Sequence, residues 1–256
     1  MPVPTSKPPQ VASQRVHGGL PVLQLTAEHR LCAGCGHGIA WPLILEVLSE
    51  LSIEQSSIMV IGHGCYTGLA MVADIDVLQC LHGRAPAVAT GIRRVRPEAT
   101  VFCVQGDGDL SSEGLHEVIH AAGRGERITS IMLNNGVFGD TGGQMTGTTV
   151  LGQRTKTSVE GRNAEQHGYP IPVADILATL PGVAYVARGA VNTAGAAAQA
   201  KRFLRKAFQA QLAGEGFSFV EILTMCPTGW FIGAPEGPDY ISDTVEGTFP
   251  LGELKA

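Results

Sequence analysis

In RLCAGCGHGI, residues 30–39, Cys32 and Cys35 stand two residues apart, with His37 just beyond them. That spacing suits a zinc site, a redox dithiol or part of an iron–sulfur cluster, and the pair alone does not choose among them. A second stretch, QGDGDLSSEG at residues 105–114, has the look of a turn between a strand and a helix, the place where parallel sheets bind ligands. Its glycines let backbone approach a diphosphate, and a helix N-terminus favours negative charge there. Asp107 would repel that diphosphate unless a cation lay between them. Magnesium fits, because it shares oxygen ligands between one or two protein groups and phosphates. The following strand ends in LNNG, and in a parallel sheet its carboxyl end lies beside the GDG turn, so Asn135 can reach the same ion. A calcium loop starting at Asp107 is a poorer reading: its sixth position would be Ser112 in place of glycine, and its twelfth Val118 in place of glutamate.

These residues need a frame. The segment from His37 reads as an apolar helix and SSIMVIGHG as a buried strand; APAVATGIRRV then gives a helix and TVFCVQGDG a strand. After GDG, Leu115, Val118, Ile119 and Ala122 fall at i, i+3, i+4 and i+7, with Ser111 or Ser112 able to cap the helix, and ITSIMLNNG is the next strand. VAYVARG, a long alanine-rich helix over NTAGAAAQAKRFLRKAFQAQL, and GFSFVEIL complete the alternation. Short apolar strands separated by helices predict an α/β fold, a parallel sheet with helices on both faces. Residues 1–25 read as an N-terminal arm, 26–230 as the ligand-binding domain and 231–256 as a C-terminal tail. The polar, glycine-rich run from about 140 to 170 is too long for an idle connection and is expected to be an active-site loop.

The formal net charge of -5 argues against nucleic acid as a partner. No run of about 18 apolar residues points to a membrane span, and no apolar leader follows the first residues, so the expected location is cytoplasmic. The six cysteines are then read as reduced thiols or metal ligands, with Cys103 an apolar core residue inside its strand.

GDG, a βαβ unit and NN, 28 residues from Asp107 to Asn135, resemble the diphosphate-binding motif of thiamine diphosphate enzymes. NNGVFGDTGGQ further resembles the beta subunits of 2-oxoacid:ferredoxin oxidoreductases. The resemblance spans roughly residues 30–230 and implies a thiamine diphosphate-binding fold of the diphosphate-domain type. It implies that Asp107 and Asn135 ligate Mg2+ by side chain and Val137 by its carbonyl. Gly106, Gly108, Asp109, Gly139, Thr141, Gly142 and Gly143 would surround the cofactor. His63, together with His82 and Arg84 of the HGRA segment, would line or support the same site, and His37 would tune the cluster or line the cleft. In this family a CxxC, a lone cysteine after the first strand and a distant one after the last form four ligands of a [4Fe–4S] cluster; Cys32, Cys35, Cys65 and Cys226 match in order and setting. Zinc stays open as an alternative, although its structural sites usually draw on two close-spaced pairs.

The activity implied is oxidative decarboxylation of a 2-oxoacid to an acyl-CoA, with electrons leaving through the cluster to ferredoxin. The glutamate that activates thiamine resides, in the family, in a pyrimidine-binding domain, so an alpha subunit is the expected partner, with gamma or delta subunits compatible. No catalytic residue is assigned within this chain. Two rivals are a non-oxidative thiamine decarboxylase or synthase and a zinc-stabilised non-catalytic subunit. Asp140 departs from the methionine of many members. No lysine or arginine follows the third cysteine in CYTGLAM, which leaves the 2-oxoacid open among 2-oxoglutarate, branched-chain and aryl substrates. Lys201, Arg202, Arg205 and Lys206 could steer ferredoxin, but a solvated helix face is the simpler reading.

Overall fold

A computed structural model describes residues 29–256; the arm expected over residues 1–25 lies outside them. In chain order, α1 (His37–Glu50) leads into β1 (Ser57–Ile61), a short 3-10 segment (Cys65–Val72) and β2 (Asp76–Gln79). Next come α2 (Ala85–Val95), β3 (Thr100–Gly106), a π-helical turn (Gly108–Glu113), α3 (Leu115–Gly123) and β4 (Thr129–Asn134). A two-residue hairpin, β5 (Val137–Phe138) and β6 (Gln144–Met145), opens the long loop, which carries α4 (Ala164–His167) and ends at α5 (Val173–Ala178). β7 (Val183–Ala190), α6 (Ala194–Ala213), β8 (Phe217–Leu223), α7 (Pro227–Trp230), α8 (Gly237–Tyr240) and β9 (Gly252–Lys255) follow.

The main sheet has the order β2-β1-β3-β4-β8-β7-β9 and is parallel except where β9 runs against β7. Successive strand residues point to opposite faces, and both faces are covered. Phe102 and Val104 of β3 join Trp41, Ile44 and Leu48 of α1 and Phe208 of α6 on one side. Val101 and Cys103 join Ala85 and Ala89 of α2, Val118 of α3 and Leu177 of α5 on the other. Continuous apolar runs are what two-sided burial demands, so the predicted parallel sheet is the one formed. Cys103 is fully buried, as expected of a core residue.

Both border strands of the main sheet were invisible to periodicity. β2 is four residues long and mostly exposed, so no apolar run announces it. Residues 231–256, expected as a tail, carry α8 and add β9 to the sheet edge, where the backbone of Val186, Ala187 and Arg188 takes up pairing that no apolar pattern encodes. The basic side of α6 is largely engaged within the chain: Lys201 meets Glu46 and Glu50 at 2.5 and 2.8 Å, Arg205 pairs with Glu50, and Lys206 lies 2.6 Å from Glu253. That agrees with a helix face neutralised at home more than with a ferredoxin lure.

Candidate cofactor and cluster site

Adjacent parallel strands end together, and the site is built at those ends. β3 delivers the GDG turn and β4 the NNG turn, with Gly106 in register with Leu133. Asp107 is buried, its Oδ1 accepting the Asn135 N–H at 3.1 Å and its Oδ2 accepting the hydroxyls of Thr146 and Thr148, each at 2.6 Å. Desolvation pushes its carboxyl up to about 6 despite those donors. A buried carboxylate in this state is short of positive charge, the condition a divalent cation would relieve. The Asn135 carboxamide oxygen accepts the Val137 N–H at 3.1 Å, which closes a tight turn around Gly136 at φ 68°.

The long loop does belong to the site. Thr146 and Thr148 come from it, and Arg162 keeps it in place: this buried guanidinium donates to the carbonyls of Thr146, Gly147 and Thr149 on one side and of His167, Gly168 and Tyr169 on the other. Sequence reading flagged the loop but none of these three residues, because a threonine hydroxyl turned inward looks the same in sequence as one turned to water.

A cleft over the two turns is lined by Gly106, Asp107, Gly108, Asp109, Asn135, Val137, Gly139 and Thr141, with His37, His63, Tyr66, His82 and Asp140. Asp109 lines it but spends its oxygens on the fold: Oδ2 accepts from Tyr66 at 2.5 Å, Gln105 at 3.1 Å and the His63 N–H at 3.3 Å, and Oδ1 from the Gly83 N–H at 2.5 Å. It braces the HGRA segment and the GHGC turn against the cofactor turn. The rings of His63 and His82 lie 4.9 Å apart at the rim, steadied by Gln79 at 3.0 Å and Glu113 at 2.9 Å respectively. Arg84 lines neither cavity; its guanidinium is directed to the Glu113 carbonyl and the Glu117 carboxylate.

A second cavity, of about 560 Å³, is lined by all four cysteines of the predicted set, Cys32, Cys35, Cys65 and Cys226, together with Gly142 and Gly143. The fold assembles them from three directions. Gly36 donates its N–H to the Met225 carbonyl at 2.9 Å, and a Cβ there would come 2.5 Å from the Met225 nitrogen, so only glycine lets CAGC dock beside Cys226. Cys65 follows β1, the strand next to β3. The backbone N–H groups of His37 and Gly38 at the start of α1 favour the Cys35 thiolate, and that of Gly229 favours the Cys226 thiolate. Burial, and then the neighbouring charges, push the Cys65 and Cys226 thiols up to about 11 and 12. Thiols raised in this way become thiolates side by side only around a cationic centre, so the donor set fits a metal or an iron–sulfur core.

The two cavities share a wall. His37, His63, Cys65, Asn135, Gly139 and Asp140 line both. A Cβ on Gly139 would stand 3.2 Å from the Cys65 sulfur and 3.6 Å from that of Cys226. Trp230, four residues beyond Cys226, donates its indole N–H to the Asn135 carbonyl at 2.7 Å, a link with no counterpart in the sequence reading. His37 is 2% exposed and neither ring nitrogen has a protein partner; desolvation lowers its pKa to about 4, so the ring is neutral.

Against known proteins, residues 58–222 match the C-terminal TPP binding domain of the thiamine pyrophosphate enzymes. The ketoisovalerate oxidoreductase subunit VorA of Methanothermobacter thermautotrophicus is 40% identical over 230 residues, 90% of this chain and 48% of that one, so the chain spans about half the length of that relative. The 2-oxoglutarate synthase subunit KorB of Archaeoglobus fulgidus is 36% identical over 77% of this chain and 69% of its own. Among solved structures, the 2-oxoglutarate:ferredoxin oxidoreductase from Magnetococcus marinus, described with 2-oxoglutarate, coenzyme A and succinyl-CoA bound, superposes with a TM-score of 0.74 at 27% identity, over 86% of this chain and 71% of that one. The matched domain agrees with the thiamine-binding domain read from two turns and their spacing, and the chain belongs to the thiamine pyrophosphate enzymes, among the subunits of the 2-oxoacid oxidoreductases.

Proposed function

We propose that this chain is the subunit of a 2-oxoacid:ferredoxin oxidoreductase that holds thiamine diphosphate, through Mg2+, beside a [4Fe–4S] cluster. One observation carries the reading: Gly139 belongs to the cofactor turn and at the same time faces the Cys65 and Cys226 sulfurs. Bound thiamine diphosphate supplies an electron sink that labilises the carboxylate of a 2-oxoacid. The chain's own residues have defined tasks. Asp107, Asn135 and the Val137 carbonyl would hold the cation, Thr146 and Thr148 would aim the Asp107 carboxylate, and Cys32, Cys35, Cys65 and Cys226 would hold the iron. His37 would remain a neutral wall between the sites.

Zinc fits the thiols less well. Among the described residues, only His82, Asp109 and Glu113 form a group of three metal-binding side chains whose ligand atoms all lie within 4.8 Å of one another. No three of the cysteine sulfurs are that close, whereas a tetrahedral zinc with bonds of about 2.3 Å would draw thiolates to roughly 3.8 Å. A cluster keeps its ligands farther apart. A non-oxidative thiamine enzyme would leave four converging thiols without a task.

The activity of the whole enzyme requires a partner carrying the pyrimidine-binding domain, and its co-substrates would be CoA and ferredoxin. The names of the relatives favour a 2-oxoacid of branched-chain or dicarboxylic type as substrate. No helix among the described residues is long and apolar enough to cross a membrane, and a set of free, metal-ligating thiols suits the reducing cytoplasm. Anaerobic purification tests the proposal: about four irons and four sulfides per chain, Mg2+-dependent retention of thiamine diphosphate and viologen reduction with a panel of 2-oxoacids and CoA are expected. One zinc per chain, or thiamine binding by an iron-free protein that releases aldehyde, would overturn it.

A further inference from the structure

Glu221 on β8 has no exposed surface, and Arg188, its register partner on β7, is 1% exposed. Arg188 donates from Nε to Glu221 Oε2 and from Nη2 to Asp175 Oδ2, both at 2.7 Å, and from Nη1 to the Pro250 carbonyl at 3.1 Å. Burying such a pair adds little net stability, since desolvation offsets the attraction. Its bonds lead instead toward the cofactor turn. Glu221 Oε1 accepts from the Asn134 amide nitrogen at 2.6 Å, and the Asn134 amide oxygen accepts the Gly136 N–H at 3.1 Å.

The chemistry of each link fixes the next. A carboxylate paired with a guanidinium accepts hydrogen bonds, so Asn134 turns its amide nitrogen toward Glu221 and its oxygen toward Gly136. The Gly136 carbonyl is gripped from the other side by the Thr149 hydroxyl at 2.6 Å and the Gln153 amide at 3.2 Å. Both ends of that residue are therefore held, and its neighbours are Asn135, whose N–H meets Asp107, and Val137, whose N–H meets the Asn135 side chain.

We propose that Glu221, oriented by Arg188, is a positioning residue for the magnesium and diphosphate turn, acting through Asn134 to fix the Gly136 peptide and so the aim of the Asn135 side chain and the Val137 carbonyl. The inference rests on the thiamine reading above. It is tested in the protein purified anaerobically with whatever subunits accompany it, by titrating Mg2+ at fixed thiamine diphosphate and measuring the cofactor retained. Three variants are compared with wild type: Glu221→Gln; Asn134→Leu, which leaves the ion pair intact; and the double change Arg188→Met with Glu221→Met, which replaces the pair by apolar side chains.

The Mg2+ concentration for half-saturation is expected to rise about 10- to 100-fold in each soluble variant, the usual cost of removing an outer partner of a metal ligand, while iron content stays near that of wild type in all three and the thermal midpoint does so in the double variant, where neither buried charge is left behind. A wild-type Mg2+ requirement in Asn134→Leu or in the double variant overturns the inference. Failure of Asn134→Leu to accumulate as soluble protein overturns it as well, because the network would then serve the fold and not the turn. If wild-type protein retains no thiamine diphosphate with Mg2+, the parent reading falls, independently of how the variants compare.

Discussion

Asp107 meets two threonine hydroxyls and one backbone N–H while shut away from water, and its carboxyl is held up near 6 by that burial. The sign follows directly. An acid whose folded pKa lies above its unfolded value binds a proton more tightly when folded, so ionising it costs stability as pH rises through about 6. A cation that pairs with the ionised form offsets this cost. Mg2+ with thiamine diphosphate is therefore expected to raise the thermal midpoint more at pH 7.5 than at pH 5, and equal shifts at the two pH values would contradict the role given to this carboxylate. Asp107→Ala should abolish thiamine retention while iron analysis stays near wild type, and Cys226→Ala should show the reverse pattern. Loss of both cofactors in either folded variant would show that the two sites are not separable at the level of single side chains.

The turns owe their positions to elements, and here the sequence was unevenly legible. The central strands and their parallel arrangement could be read because two-sided burial writes an unbroken apolar run, as in VFCV of β3 and IML of β4. GDG and NNG could be read because glycine and short polar residues at strand ends mark a ligand turn. Tyr66, Arg162, Trp230 and Glu221 could not, since each acts through a contact 43 to 95 residues away along the chain or through several loop carbonyls that no local pattern encodes. Arg162 gives this a test. Arg162→Met removes all six donations that join 146–149 to 167–169, so limited proteolysis should cut within that loop and thiamine affinity should fall at least about tenfold, an effect of the size seen for outer partners of metal ligands. Protease resistance equal to wild type would place the loop's order elsewhere.

At the scale of the molecule, two cavities share one glycine-bearing wall, yet the donors proposed for each are different. Treatment with a chelator of Mg2+ should release thiamine diphosphate and leave the brown absorption near 400 nm, whereas an iron chelator under reducing conditions should bleach it. The chain alone should show no decarboxylation of any 2-oxoacid until its partner is added; turnover by the isolated chain would contradict the division of labour proposed here. The sheet itself imposes a further asymmetry. On one side it terminates in β9, an antiparallel strand that pairs with β7; on the other it terminates in β2, four residues that open on Asp76 and follow Asp74. Short, acid-flanked borders discourage indiscriminate stacking of strands. The two borders therefore differ in polarity: among the described residues, a neighbour that continues the β-ladder would meet a strand running with the sheet at β2 and one running against it at β9.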